Sequence, residues 1–123
     1  SMINFVIDMN GGVVGSIGIQ KIKRNHKGEI GYWLAERYWN NGIMTEALKL
    51  ITKFGFNILK LNRLELKIRL SNKASQRIAE KAGYKFDGIL RNDVKRGGKF
   101  LNAFLFFKSN NNCLYEKKRF ESK

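Results

Sequence analysis

The sequence lacks proline altogether, has a single cysteine, Cys113, and contains no apolar stretch of membrane-spanning length. One cysteine cannot form an internal disulfide, which agrees with a reducing compartment. A membrane-spanning helix needs about 18 apolar residues in a row, and no run approaches that length. The first residues also lack the basic, apolar and small-residue order of a secretory signal. We therefore expect a cytoplasmic protein without a membrane segment, whereas the absence of proline carries no functional interpretation.

Several catalytic and binding motifs are absent as well. The sequence has no zinc-ligand spacing, no Walker phosphate loop and no serine-nucleophile elbow. His26 lies in a polar turn without a second His or Cys nearby, and it is interpreted as a solvated loop residue. The glycines from Gly11 to Gly18 are flanked by strand formers, which favours a hairpin over a nucleotide-binding loop. We expect no metal site.

Acidic residues are scarce relative to basic ones. Lys and Arg number 24 against 10 Asp and Glu, so the formal net charge is +14. The electric field of so many positive charges attracts polyanions. Nucleic acid, a ribosome or a phosphorylated cofactor would each be such a partner. The basic residues are spread along the chain, without the blocks of about five or six like charges that mark a nucleic-acid tail. Charge therefore predicts an anionic partner and does not say which.

The chain of 123 residues has the length of one domain, and we interpret residues 1–123 as a single domain. Apolar residues alternate in the first third of the sequence, recur every three or four residues after Leu34, and alternate again from Arg63. The predicted elements are strands at 3–9, 13–23 and 29–34, a helix at 45–59, a strand at 63–70, a helix at 72–82, and strands at 84–91 and 100–108. The order β-β-β-α-β-α-β-β predicts an α/β (α+β) fold with a mixed sheet and a parallel crossover.

The segment YWNNGIMTEA, residues 38–47, leaves a strand, turns on Gly42 and enters the long helix. The first amides of a helix have no internal partners and lie at the positive end of the helix dipole, so a phosphate is a natural guest. Gly42 would let that phosphate approach the backbone. The alternative is a helix start capped by Asn41 or Thr45, with no ligand.

Five phrases in one order resemble the GNAT N-acyltransferases, within them the group similar to the ribosomal-protein N-terminal acetyltransferases RimJ and RimL. The phrases are GYWL at 31–34, YWNNGIMTEAL at 38–48, NKAS at 72–75, EKAGY at 80–84 and DGILR at 87–91. The resemblance implies acetyl transfer from acetyl-CoA, with the loop amides holding the pyrophosphate. It also implies that strand 32–34 splays from strand 63–70 and that the pantetheine arm lies between them. The cofactor-binding residues that it implies are Tyr32, Trp33, Leu34, Trp39, Asn40, Asn41, Gly42, Ile43, Met44, Thr45, Asn72, Ser75 and Lys81.

The resemblance further implies that the Ser75 hydroxyl lies near the sulfur and could protonate the departing thiolate. A serine beside a helix start is otherwise a cap, and Asn72 or Ser75 could cap the second helix. The amine needs a base or a water relay, and Glu29 and Asp93 are the acidic candidates. Each of the two could equally be a surface carboxylate.

The sequence departs from the family pattern in a few places. Trp39 stands where Gln or Arg is common, Met44 where Gly or Ala is common, and Asn102 where Asp is common, which leaves cofactor affinity and acceptor chemistry open. The usual first strand and two helices are missing at the front. The chain is therefore interpreted either as truncated or as naturally short, in which case a partner subunit, such as a second copy in a homodimer, would complete the pocket.

The leading hypothesis is an acetyltransferase that acts on a primary amine: a protein N-terminus, which includes that of a ribosomal protein, a polyamine or a small amine. The second is a non-catalytic module that keeps the fold and binds coenzyme A. The third is a ribosome- or nucleic-acid-associated domain, supported by charge alone.

Overall fold

The structure is a computed structural model that describes residues 2–22, 24 and 26–110. Its strands are β1 Met2–Met9, β2 Gly12–Ile22, β3 Lys27–Leu34, β4 Arg63–Arg69, β5 Lys85–Arg96 and β6 Lys99–Ser109, and its helices are α1 Ile43–Asn57 and α2 Lys73–Lys81, with a short 3-10 turn at Glu36–Tyr38. The predicted order of elements is confirmed. Cys113 and the C-terminal basic residues lie outside the described part of the chain.

Element boundaries differ from the predictions at a few ends. Helix α1 begins two residues earlier than predicted, at Ile43, and ends at Asn57. Strand β5 continues to Arg96 instead of ending at Arg91, because its hairpin partner β6 pairs with it as far as Lys99. These shifts lengthen the hairpin and move the start of α1 into the glycine loop.

The strands form one sheet in the order β1-β2-β3-β4-β6-β5. Strands β3 and β4 are parallel, as the crossover through α1 predicted, and the other neighbours are antiparallel. Strand β6 lies between β4 and β5, so β3, β4 and β5 all run in the same direction. Their C-terminal ends therefore share one edge of the sheet, from which the chain enters α1 and α2.

The core lies between the sheet and the helices. Leu48 of α1 is fully buried against Ile19 of β2 and Leu64 of β4. Gly55 allows this close approach, because a Cβ there would lie 3.1 Å from side-chain carbons of both Ile19 and Leu64. A contact this tight leaves room for almost nothing larger than hydrogen, so glycine sets the distance between helix and sheet.

The buried polar groups in this core are paired. The Thr52 hydroxyl donates to the Leu48 carbonyl oxygen at 2.7 Å and hydrogen-bonds the Tyr84 hydroxyl at 2.7 Å. Burial raises the pKa of Tyr84 well above its ordinary value, although the bond to Thr52 opposes the shift. The Tyr84 phenol is therefore a neutral member of the core, joining α1 to the start of β5.

The opposite side of β4 carries charge. Because side chains alternate along a strand, Leu64 and Leu66 face the helices while Arg63, Glu65 and Lys67 face away from them. The Arg63 guanidinium bonds Glu65 at 2.7 Å and Asp87 of β5 at 2.9 Å. We call this side the open face, since neither described helix packs on it.

No helix in the described part of the chain is both long and apolar enough to cross a membrane.

Replacing Leu64 with Ala should lower the free energy of unfolding by about 3 kcal/mol, because a fully buried side chain is lost and a cavity remains. The control is Leu50→Ala on α1, where the side chain is 67% exposed, and it should change stability by less than about 0.5 kcal/mol. Urea denaturation followed by circular dichroism measures both variants. Equal effects would contradict the packing described here.

Candidate functional site

Strands β3 and β4 part soon after they meet. Their parallel pairing is confined to three residue pairs, Lys27 with Arg63, Gly28 with Leu64 and Glu29 with Glu65. From there to Leu34 and Arg69 the two described strands share no ladder. The facing strand edges thus keep backbone groups that an extended guest could pair with, as an added strand would. This is the splay that the family resemblance implied.

A cavity of about 380 Å³ lies at this end of the sheet. That volume falls in the range of small-molecule sites. Twelve of the thirteen predicted cofactor-binding residues line it, namely Tyr32, Trp33, Leu34, Trp39, Asn40, Gly42, Ile43, Met44, Thr45, Asn72, Ser75 and Lys81. Asn41 lies in the same loop but is not part of the lining. The structure thus gathers the end of β3, the loop before α1 and the first residues of α2 around one space.

The loop before α1 presents bare backbone to the cavity. Asn40 and Gly42 have positive φ, at 64° and 74°, and Gly42 caps α1 without any side-chain hydrogen bond. The first intrahelical bond runs from the Glu46 amide to the Gly42 carbonyl at 3.1 Å. The amides before it, those of Ile43, Met44 and Thr45, have no carbonyl partner within the helix. The alternative of a cap from Asn41 or Thr45 is therefore wrong.

Gly42 also leaves free space in front of these amides. A Cβ built on it would meet no heavy atom within 4 Å. Residues with a side chain adopt this left-handed conformation at a cost in free energy. Glycine therefore suits the position both for its backbone conformation and for the space that it leaves. Uncapped amides, the dipole of a helix as long as α1 and open space at Gly42 are features that suit an anion, so phosphate binding at this loop stays a prediction.

Trp39 fastens this loop to the sheet. Its indole Nε1 donates to the Leu34 carbonyl oxygen at 2.7 Å. The carbonyl belongs to the last residue of β3, so the bond holds the loop against the end of the strand. Trp39 occupies a place where the family commonly has Gln or Arg, and here its polar atom serves the loop geometry. Its ring remains half exposed at 52% and lines the cavity.

Helix α2 begins with an Asn cap, which decides between the two predicted capping residues. The Asn72 side-chain oxygen accepts from the Ser75 amide at 3.1 Å. The Ser75 hydroxyl is engaged elsewhere: Tyr32 of β3 donates to Ser75 Oγ at 2.8 Å. Because Ser75 accepts in this bond, its own hydrogen remains available for a second hydrogen bond, and both residues line the cavity.

The Tyr32 phenol is held neutral. Burial raises its pKa above the ordinary value, and the hydrogen bond with Ser75 only partly offsets that shift. A neutral phenol is a donor, which agrees with the direction of the bond to Ser75. Tyr32 and Ser75 lie 43 residues apart in sequence and come from elements on the two sides of the cavity. The bond thus joins β3 to α2 across the splayed strands.

The sequence reasoning missed four lining residues: Tyr38, Ala74, Arg77 and Ile78. Arg77 matters most, because together with Lys81 it places two cations at the cavity. Their four-residue spacing on α2 puts them on one face of the helix, and that spacing was a signal available in the sequence. Tyr38 and Ala74 lay inside the family phrases without being singled out.

Glu29 and Asp93 lie outside the cavity lining, on the open face. The Lys67 ammonium is 3.2 Å from Glu29 and 3.7 Å from Asp93. Burial lowers the pKa of Lys67, but the hydrogen bond and charge of Glu29, with the charges of Asp93 and Glu65, outweigh burial and raise it above the ordinary value. Glu29 is also the last residue of β3 that pairs with β4, so it stands where the strands part. The Glu29 and Asp93 carboxylates therefore share the Lys67 ammonium at the point where β3 and β4 separate.

No cluster of three or more His, Cys, Asp or Glu suited to a metal ion occurs among residues 2–22, 24 and 26–110.

Comparison with known proteins identifies relatives along most of the chain. Residues 1–85 match the acetyltransferase (GNAT) domain family. The probable N-acetyltransferase YjcK of Bacillus subtilis is 38% identical over 88 residues, which are 70% of this chain and 49% of YjcK. The chain spans about half the length of the curated relatives it matches.

Two solved structures show the same fold. Mycobacterium smegmatis RimJ in complex with CoA-disulfide has a TM-score of 0.84 and 26% identity, over 90% of this chain and 54% of RimJ. The ribosomal-protein-S5-alanine acetyltransferase of Vibrio fischeri has a TM-score of 0.84 and 25% identity, over 89% of this chain and 62% of that protein.

The raised pKa of Tyr32 can be measured directly. Tyrosinate absorbance near 295 nm, recorded against pH for the native chain and for Tyr32→Phe, should give a difference curve without a step near pH 10, the usual value for tyrosine. The step should appear only at higher pH, because burial disfavours the phenolate. A difference curve centred near pH 10 would show that Tyr32 is solvated, contrary to its place in the site.

Proposed function

Because the chain belongs to the acetyltransferase (GNAT) domain family, we propose that it binds acetyl-CoA in the gap between β3 and β4 and transfers the acetyl group to a primary amine. The observation that supports this most strongly is the uncapped start of α1, which lines the same cavity as the end of β3 and the start of α2. A phosphate-bearing carrier with an extended arm fits both features. RimJ, a structural neighbour, was solved with a coenzyme A derivative.

The residues present suit this carrier. The amides of Ile43, Met44 and Thr45 would bind the linked phosphates, and the cations of Arg77 and Lys81 would add charge at the same cavity. The free edge of β3 would pair with amide groups of the pantetheine arm. Acetyl-CoA supplies an activated acetyl group as a thioester. Fixing that group beside the amine removes much of the entropic part of the barrier.

Ser75 is the residue we assign to the leaving group. When the amine nitrogen bonds to the acetyl carbon, the carbon–sulfur bond breaks and the thiolate needs a proton. The Ser75 hydroxyl can give one, because its oxygen accepts from Tyr32 and its own hydrogen is not used in that bond. Tyr32 is a positioning residue in this scheme: its bond fixes the Ser75 oxygen, and the proton that the nitrogen loses as the amide forms restores the Ser75 hydroxyl.

Glu29 is the base that we assign to the attacking amine, because it stands at the fork where β3 and β4 part. The amine arrives protonated and must lose one proton before it attacks and a second as the amide forms. Asp93 of β5 contacts the same Lys67 ammonium. We propose its carboxylate as a second group that can accept a proton from the amine. Transfer of the proton through a water is compatible with this placement.

We propose a primary amine as the acceptor. The likeness to a ribosomal-protein-S5-alanine acetyltransferase supports a ribosomal protein N-terminus, and polyamines and small amines are the other candidates. Because the chain spans about half the length of its curated relatives, a second function deserves a test: binding of coenzyme A without transfer.

Gly42→Glu should weaken acetyl-CoA binding by at least about 100-fold, because it sets a negative charge and a strained residue in front of the loop amides. Gly11→Glu is the matched control, since Gly11 also has a positive φ, 81°, and open space around it, but lies in the β1–β2 turn. Titration calorimetry with acetyl-CoA compares the two variants. Equal affinities would remove the loop from the proposed site.

Ser75→Ala should lower kcat by about 100-fold while the acetyl-CoA Kd changes by less than about threefold, since a proton donor is lost and the phosphate contacts remain. Ser109→Ala, at the far end of β6, should leave both unchanged. Release of free thiol is followed with a panel of N-terminal peptides, polyamines and small amines. Tight binding without thiol release from any amine would favour the non-catalytic module, and an unchanged kcat would remove the role of Ser75.

A further inference from the structure

The β5–β6 hairpin projects beyond the rest of the sheet. The last pair between β4 and β6 is Arg69 with Ala103, whereas β5 and β6 go on pairing as far as Arg96 with Lys99. Four strand residues at about 3.3 Å each carry the ribbon roughly 13 Å past β4. Gly97 and Gly98, both with positive φ, close it in a turn without bulky side chains. We call residues 91–100 the hairpin tip.

The hairpin tip stands at the edge of the sheet that carries the cavity. Strand β5 runs in the same direction as β3 and β4, because β6 is antiparallel to both of its neighbours. The C-terminal ends of β3, β4 and β5 therefore share one edge, where α1 and α2 also begin. A partner held by the tip would lie at the same edge of the sheet as the cavity.

Positive charge on the tip is not neutralised by the protein. Four cations, Arg91, Lys95, Arg96 and Lys99, are exposed, and none of them takes part in an ion pair within the described part of the chain. The one acidic residue of the tip, Asp93, is engaged with Lys67 of β4. Four unpaired cations on a slender ribbon are the kind of surface that collects phosphates.

An exposed aromatic ring narrows the choice of partner. Phe100 is 60% exposed, pairs directly opposite Lys95 in the ladder, and has the Lys95 ammonium 5.8 Å from its ring centroid. The next pair, Arg96 with Lys99, points to the other side of the ribbon by strand alternation. One side thus offers a ring with a cation beside it, and the other side offers two cations.

We propose that the hairpin tip binds single-stranded nucleic acid. Successive phosphates would contact the cations, and an unstacked base would stack on Phe100, the combination by which single strands are held without strict sequence preference. An acidic polypeptide would match the charge alone, and a duplex keeps its bases stacked on each other. The site is separate from the cofactor cavity, so it does not depend on acetyl transfer.

The test measures fluorescence anisotropy of labelled 12-nucleotide single strands, oligo-U and oligo-dT, at several salt concentrations with the intact chain. Lys95→Glu/Arg96→Glu/Lys99→Glu should weaken binding at least tenfold and reduce the slope of log K against log salt by about 2, since each phosphate contact contributes about 0.7. Phe100→Ala should weaken binding about tenfold and leave the slope unchanged, because stacking releases no counterions.

The control is Lys21→Glu/Lys53→Glu/Lys60→Glu, which makes the same change of net charge with exposed residues of β2, α1 and the loop before β4. It should lose less than about threefold in affinity. Circular dichroism and acetyl-CoA affinity, measured for every variant, show whether the fold and the cofactor site survive. Comparing oligo-U with oligo-dT then tells which sugar the tip prefers.

Three outcomes would overturn the proposal. One is an equal loss of binding in the control, which would make the attraction a property of net charge alone. The second is binding without base stacking, seen either as a duplex that binds as tightly as the single strands or as an affinity unchanged by Phe100→Ala. The third is polyglutamate of equal charge displacing the single strands as well as unlabelled oligo-U does, which would identify an acidic polypeptide as the partner.

Discussion

The parting of β3 and β4 is the constraint on which the rest of the site depends. Two parallel strands normally satisfy each other's backbone groups along their whole length, and here they do so for three residue pairs only. Past Glu29 the inner edge of β3 faces a gap instead of a ladder. Backbone donors and acceptors that are left in this way need a partner, and the cavity at the end of β3 has room for one.

The surrounding elements keep the gap open and set its chemistry. Tyr32 and Ser75 bond across it, so the separation of β3 from α2 is fixed by a hydrogen bond of 2.8 Å. Trp39 ties the loop to the end of β3, which points the first amides of α1 at the same space. The helix face of the site is thus neutral or cationic, while Glu29 and Asp93 place carboxylates on the open face, on either side of the Lys67 ammonium. A phosphate carrier and an amine would meet surfaces of opposite charge on the two sides of one sheet.

Local signals in the sequence predicted the local parts of this arrangement. Periodicity, caps and turn residues located the strands and α-helices of the described chain but not the 3-10 turn at Glu36–Tyr38, and Gly42 marked the loop because few other residues adopt its conformation. The long-range features could not be predicted from the sequence. The insertion of β6 between β4 and β5 depends on pairing that no local pattern encodes, and the Tyr32–Ser75 bond joins residues 43 positions apart. Likewise, the sequence offered Glu29 and Asp93 as separate candidates, and only the fold shows that both reach Lys67.

The central claim is that the amides before α1 hold the phosphates of coenzyme A. A crystal structure of the chain with coenzyme A tests it most directly. The account predicts phosphate oxygens within about 3 Å of the Ile43, Met44 or Thr45 amide nitrogens, with the pantetheine arm between β3 and β4. Phosphates bound anywhere else, or a gap closed by the protein's own strands, would contradict it.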